Sequence, residues 1–197
     1  MAQKIMKNTP RLFWGMLLLL SALLLNSCAR DGAGQAAGSS YGSGAGSGLS
    51  SAPSAKSVTF EGTDLEGNAV SSDILSHSKL TMVNVWATYC GPCLREMPAL
   101  GELAAEYDAE DFQLIGIVSD VMEGADQSTA ESLVRETGAS YPHLLLNESI
   151  YLGLLSDVTA VPTTFFLNQK GAVLDTVVGA MEKDAWEEKI NELLEGL

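Results

Sequence analysis

The sequence predicts a layered α/β domain over residues 58–197, with a central mixed sheet flanked by helices. Three observations carry that expectation. Two short apolar runs, 80–86 and 112–118, have the length and composition of buried strands, and the segment between them has helical periodicity. Near the C-terminus, two strand-like segments, 163–167 and 172–178, are joined by Asn168-Gln169-Lys170-Gly171, a hairpin turn. Residues 181–194 then place Trp186, Ile190, Leu193 and Leu194 on one side of a closing amphipathic helix. Strands alternating with helices lie parallel, and the hairpin adds an antiparallel pair, so the sheet is mixed. A length of 197 residues suits one domain plus extensions, and a hydrophobic fraction of 46% excludes a disordered chain. The excess of 25 acids over 11 Lys+Arg, a formal charge of −14, excludes nucleic acid as a partner.

The N-terminus has a different character. Residues 1–27 hold Lys4, Lys7 and Arg11 and no acid, which leaves eight cations against 25 acids, −17, from residue 28 onward. The uncharged stretch Leu12–Leu25 would rise only about 21 Å as a helix, short of the ~30 Å hydrocarbon core, and so reads as a signal peptide. Leu25-Asn26-Ser27-Cys28 follows at once and resembles a bacterial lipobox. We therefore expect residues 1–27 to be a lipoprotein signal peptide and Cys28 the acylated first residue of the mature chain. Lipidation also removes what would otherwise be an unpaired exported thiol. Residues 28–57 are rich in Gly, Ser and Ala and cannot bury enough apolar area to offset their ordering entropy. They read as a flexible tether.

Within the domain, Val58–Glu61 and Ala69–Val70 flank the turn-rich Asp64-Leu65-Glu66-Gly67-Asn68, an N-terminal β-hairpin. Leu80–Trp86 is the first buried strand. From Pro92 to about Tyr107, Leu94, Met97, Leu100, Leu103 and Ala104 recur at helical spacing, and Pro98 predicts a kink. Phe112–Val118 is the second buried strand. Gln127–Thr137 reads as a helix stopped by Gly138, His143–Leu146 as a short strand, and Ser149–Leu155 as a helical piece.

The chemistry lies in Trp86-Ala87-Thr88-Tyr89-Cys90-Gly91-Pro92-Cys93, where a buried strand passes into a helix. A first sulfur at a helix start sits beside unpaired N–H groups and the positive end of the helix dipole, which favour its thiolate. The thiolate is the attacking species in disulfide exchange. A structural zinc site needs two further ligands, and His77 and His143 lack the spacing to supply them. A disulfide closing a two-residue loop adds little stability, so a purely structural bridge is a poor use of the pair. With Cys28 acylated, Cys90 and Cys93 are the remaining cysteines, and exchange is the chemistry left to them. No metal or cofactor is called for.

VNVWATYCGPCLREMPAL, residues 83–100, resembles the active-site segment of the TlpA/ResA-like thiol-disulfide oxidoreductases of the thioredoxin superfamily, related to the AhpC/TSA redoxins. Ala160–Phe166, AVPTTFF, resembles the loop that carries the superfamily's cis-proline. The similarity spans about residues 56–197, including a βα-type insertion near 123–155. It implies a thioredoxin-like fold in which Pro162 is cis and faces the cysteines, and the Val161 backbone is open to an extended substrate strand. It also implies a nucleophilic Cys90, a resolving Cys93, and Glu96 as a candidate acid/base. Asn84 stands where thioredoxin itself usually has a buried aspartate. Trp86 and Tyr89 are candidates to border the substrate groove, with core packing the equal alternative for Trp86.

The resemblance implies a membrane-anchored, extracytoplasmic reductant of disulfides in exported proteins, reset by a membrane thiol electron donor of the CcdA type. Apocytochrome c maturation and support of methionine sulfoxide reductase are the candidate pathways. A thiol peroxidase of the peroxiredoxin-related group is the enzymatic alternative, but Thr88 lies two residues before Cys90, not three, and lacks the preceding proline. A non-catalytic binding lipoprotein is the alternative of another class, and gives no reason for paired cysteines at a helix start.

Overall fold

The computed structural model describes residues 57–197. The expected signal peptide and all but the last residue of the expected tether, Cys28 included, lie outside the described residues.

Asp64 shapes the first turn. Its Oδ1 accepts from the Glu66 and Asn68 amides at 3.0 and 2.8 Å, closing the loop between β1 (Glu61–Thr63) and β2 (Ala69–Ser71). Strand pairing begins three residues later than the sequence suggests. The Val58 amide is instead bound to the Gly171 carbonyl at 2.9 Å, and Phe60 enters the core. A 3₁₀ turn, Ser72–His77, that the sequence reading missed leads into β3 (Leu80–Trp86).

All seven residues of β3 are buried, because it is the central strand of a five-stranded sheet of order β5-β4-β3-β6-β7. It runs parallel to β4 (Phe112–Met122) and antiparallel to β6 (Thr163–Asn168). β5 (His143–Leu146) joins β4 in parallel, and β7 (Val173–Val178) closes the antiparallel hairpin. The sheet is mixed, as expected. The 168–171 turn repeats the device of the first, with Asn168 Oδ1 accepting from the Lys170 and Ala172 amides.

Alternation along the strands sorts the core into two layers. Leu80, Met82 and Trp86 of β3 pack with Leu114, Val118, Leu145 and Phe166 beneath α1 (Gly91–Glu106), α2 (Ser128–Thr137) and α4 (Lys183–Glu195). Val83, Val85, Ile115, Ile117 and Leu144 pack on the other face. There Leu75, Phe60, the helical turn α3 (Glu148–Ile150) and the π-helical turn Tyr151–Leu155 cover them. The expected insertion corresponds to α2, β5 and α3, lying between β4 and β6. Gly138 ends α2 in the left-handed conformation, φ 69°, and its amide caps Arg135 and Val134. The helix α1 continues through Pro98, whose ring lies on the exposed side.

Candidate active site

The strand-to-helix junction is built by three consecutive features of the chain. β3 ends at Trp86, residues 87–90 turn with the Cys90 amide on the Ala87 carbonyl at 3.0 Å, and Cys90 becomes the N-cap of α1. Cys90 Sγ accepts from the Cys93 amide at 3.2 Å, one of the donors a helix start leaves unpaired. The two cysteines form a disulfide, with Cα atoms 5.3 Å apart. Cys90 keeps 5% of its surface exposed and Cys93 none, so Cys90 is the sulfur at the rim.

Glu96, one turn further along α1, is 4% exposed. Its Oε1 accepts from Asn84 Nδ2 at 3.1 Å, and its Oε2 from the Met181 amide at 3.2 Å and Trp186 Nε1 at 3.4 Å. Burial pushes the carboxyl above its ordinary value, and these three donors oppose the rise without cancelling it. Asn84, fully buried at the centre of β3, also donates from Nδ2 to Thr164 Oγ1 at 3.1 Å. Its Oδ1 has no hydrogen-bond partner, nor does the buried hydroxyl of Tyr141. The Tyr141 hydroxyl is held above its usual range by burial and, secondarily, by the Glu96 charge.

The Val161–Pro162 peptide bond is cis, as the resemblance implied. Pro162 is buried, and Val161 packs against the same cluster as both cysteines. Val161 lies outside the strand ladder, which begins at Thr163. A depression of about 300 Å³ runs beside it, lined by Val161, Tyr89, Tyr151, Leu155, Val158 and neighbouring residues. Tyr89 is 78% exposed, an aromatic ring standing in solvent next to Cys90. Neither this depression nor a larger cleft of about 680 Å³ between β7 and residues 149–159 is lined by a cysteine; the smaller one adjoins the site through Tyr89 and Val161.

The placement of Trp86 in the groove is corrected. Its side chain has no exposed surface, and its indole N–H donates to His143 Nδ1 at 3.1 Å. The reason is strand parity: Trp86 points to the helix-covered face with Met82 and Leu80. His143, left without a role by the sequence, holds the other side of this arrangement. With Nδ1 accepting, Nε2 carries the proton and donates to the Ala139 carbonyl at 2.9 Å. Burial lowers the imidazole pKa to about 4, so it is neutral at physiological pH. Gly116, its neighbour on β4, has no side chain because a Cβ there would strike the imidazole. A glycine and a histidine in apolar strands were the legible signs of this contact, but their register was not. His77 is exposed on the surface. Among the described residues no cluster of three or more His, Cys, Asp or Glu is arranged to hold a metal ion.

Residues 50–194 match the Redoxin family. The chain is 29% identical over 133 residues to thiol-disulfide oxidoreductase ResA of Halalkalibacterium halodurans, covering 68% of this chain and 72% of that one. It is 30% identical over 136 residues to thiol:disulfide interchange protein DsbE of Escherichia coli, covering 68% and 69%. The crystal structure of a thioredoxin-family thiol:disulfide interchange protein from Chlorobium tepidum superposes with a TM-score of 0.61 at 22% identity, over 70% of this chain and 94% of the other. The fold is thioredoxin-like.

Proposed function

We propose, from the premise that the chain belongs to the Redoxin family, that it is a thiol-disulfide oxidoreductase that reduces disulfides in exported proteins. The observation that carries this reading is the asymmetry of the Cys90–Cys93 pair. One sulfur caps α1 and keeps 5% of its residue's surface open, and the other is fully covered one turn from a buried carboxyl.

In this reading the reduced Cys90 thiolate, stabilised by the helix start, attacks one sulfur of a substrate disulfide. A Cys90–substrate disulfide forms as the substrate's internal bond breaks, and the first substrate thiol leaves with a proton. Cys93 then loses its proton to Glu96 and attacks Cys90 Sγ. That closes Cys90–Cys93 and releases the second substrate thiol, so two electrons pass to the substrate in all. Glu96 suits the acceptor role because burial raises its proton affinity toward that of a thiol. The Val161 backbone and the exposed Tyr89 ring offer a strand and an apolar surface for an extended segment around the substrate cysteine.

The rest of the chain serves delivery in the same proposal. Residues 1–27 direct export, Cys28 carries the lipid, and residues 28–57 are a tether of about 30 Å root-mean-square span. A membrane thiol donor of the CcdA type returns the pair to its reduced state. The −17 charge of the mature chain fits a domain that stands off from an anionic membrane surface.

Cys93→Ser is the decisive variant, since it removes the thiol whose effective concentration resolves the mixed disulfide. Expressed in its native cell and quenched in acid, it is expected to carry a covalent partner that dithiothreitol releases. Mass spectrometry of that partner separates cytochrome maturation from methionine sulfoxide reduction. If no partner is trapped and the wild type instead consumes hydrogen peroxide, the peroxidase reading replaces this one.

A further inference from the structure

The segment that presents Cys90 is held from outside by the end of β4. The register between β4 and β5 shifts between Val118 and Met122, an irregularity that falls just past the last β3–β4 pair, Trp86 with Val118. Such bulges re-aim side chains at strand ends. Here the two residues that follow Val118 turn onto the chain leaving β3. Ser119 Oγ donates to the Trp86 carbonyl at 2.9 Å. The Asp120 carboxylate accepts the Thr88 amide through both oxygens, at 3.0 and 3.1 Å, and the Thr88 hydroxyl on Oδ2 at 2.5 Å. Residues 86 and 88 are thus fixed by side chains of a neighbouring strand, two positions before the nucleophile.

We propose that Asp120 is a positioning residue for the redox pair, acting through Thr88 to hold Cys90 at the start of α1 when the disulfide is open. This rests on the reading of Cys90 and Cys93 as an exchanging pair. In the oxidised protein the disulfide itself fixes Cys90. In the reduced protein that covalent link is gone, and Cys90 is held by its own capping contact and by residues 86–89. A segment that is already ordered loses less freedom when the ring closes, so the clamp raises the effective concentration of one thiol at the other. The reaction read is protein dithiol plus oxidised glutathione giving protein disulfide plus two reduced glutathiones, with two electrons passing to glutathione. Loss of the clamp shifts this equilibrium toward the dithiol. Loss of the Asp120 charge shifts it the same way by easing thiolate formation at Cys90, so the Thr88 variants, which keep the charge, isolate the contact.

The test equilibrates the full-length protein and its variants with glutathione at pH 7 and quantifies the oxidised fraction after acid quench. Asp120→Ala is expected to lower the equilibrium constant about tenfold, a rise in potential of about 30 mV for this two-electron couple. Thr88→Val, which loses only the hydroxyl bond, is expected to lower it about threefold, and Thr88→Ser to restore it to within twofold. A general loss of packing would destabilise both redox forms alike and leave the constant unmoved. Should Asp120→Ala fail to fold, the Thr88→Val and Thr88→Ser pair decides alone. If Thr88→Val equals wild type, the clamp is overturned, even where Asp120→Ala shifts through its charge. If the wild type does not exchange with glutathione at all, it is the exchange reading that fails.

Discussion

Replacing Glu96 separates its cost to the fold from its part in the reaction. Ala at this position removes the acceptor of the Met181 amide and of Trp186 Nε1, and one of the two acceptors of Asn84 Nδ2. The buried Trp186 donor left unpaired costs about 1–3 kcal/mol and the part-buried Met181 amide up to as much again, an expected destabilisation of about 1–6 kcal/mol before any cavity is counted. Gln behaves differently. Its oxygen can keep the Met181 and Trp186 bonds, while its amide donates to Asn84 Oδ1, which has no partner in the wild type and comes into place if the Asn84 amide turns over. Glu96→Gln should therefore sit within about 1 kcal/mol of wild type at acid pH. Its stability should then diverge as pH rises. A carboxyl whose folded pKa is raised binds more protons native than unfolded, so the wild type loses stability from the ordinary value of 4.5 up to the raised one. The slope in that window reaches at most about 1.4 kcal/mol per pH unit. Gln has no such term, so the variant gains on the wild type between pH 4 and pH 8. Urea unfolding of both oxidised proteins at pH 4, 6 and 8 measures the difference. Parallel pH dependence for the two would refute the account of Glu96 as a carboxyl burdened by burial.

The remaining expectations are briefer. Glu96→Gln should slow insulin disulfide reduction at pH 7 by at least about tenfold, in keeping with a lost general base; an unchanged rate over pH 6–9 would leave Glu96 a structural role only. In the reduced protein Cys90 should react with iodoacetamide at pH 7 much faster than Cys93, since Cys90 caps the helix and Cys93 is covered; peptide mapping of the labelled chain reads the ratio, and faster labelling of Cys93 would reverse the assigned roles. Cys28→Ser should abolish incorporation of a fatty-acid analogue and release the protein from the membrane fraction; persistent labelling would end the lipoprotein proposal.

Much of the fold was legible because its strands are short apolar runs with clear punctuation. Leu80–Trp86 and His143–Leu146 have the bounds that composition suggested, and Gly138 stops α2 where a helix-ending glycine was expected. Apart from the local 3₁₀ turn Ser72–His77, the misses share a cause: each depended on which strand lies beside which. Val58–Phe60 has strand composition, but the Val58 amide goes to the Gly171 carbonyl, over a hundred residues away in sequence, and the Phe60 carbonyl to the Ser72 amide. β4 continues four residues past its apolar run because pairing with β5 resumes at Met122 after the irregularity. Between groove and core, the two readings open for Trp86, parity along β3 decides for the core. The cysteines and the cis-proline loop were legible as motifs. The donors around Glu96 were not, since Asn84, Met181 and Trp186 come from three separate elements.

The arrangement also explains how one site can combine a nucleophile at the rim of the core with buried proton chemistry. Sheet and helix divide the labour. Next to Cys90 in the chain, Tyr89 lines a depression with Val161, Leu155 and Val158, which suits recognition of varied extended chains by backbone and apolar contact. On the inner side, Glu96, Asn84 and Thr164 form a closed polar cluster under α1, and the neutral His143–Trp86 pair packs in the same layer without adding charge. A second buried ion beside Glu96 would fix its protonation by Coulombic force. Asn84 instead offers a dipole, and leaves the carboxyl free to change state as Cys93 does. Asn84→Asp would put two carboxyls in contact, and like charge at that distance forces one to hold its proton. In the proposed mechanism the amide at position 84 is thus what keeps Glu96 a group that can both accept and return a proton.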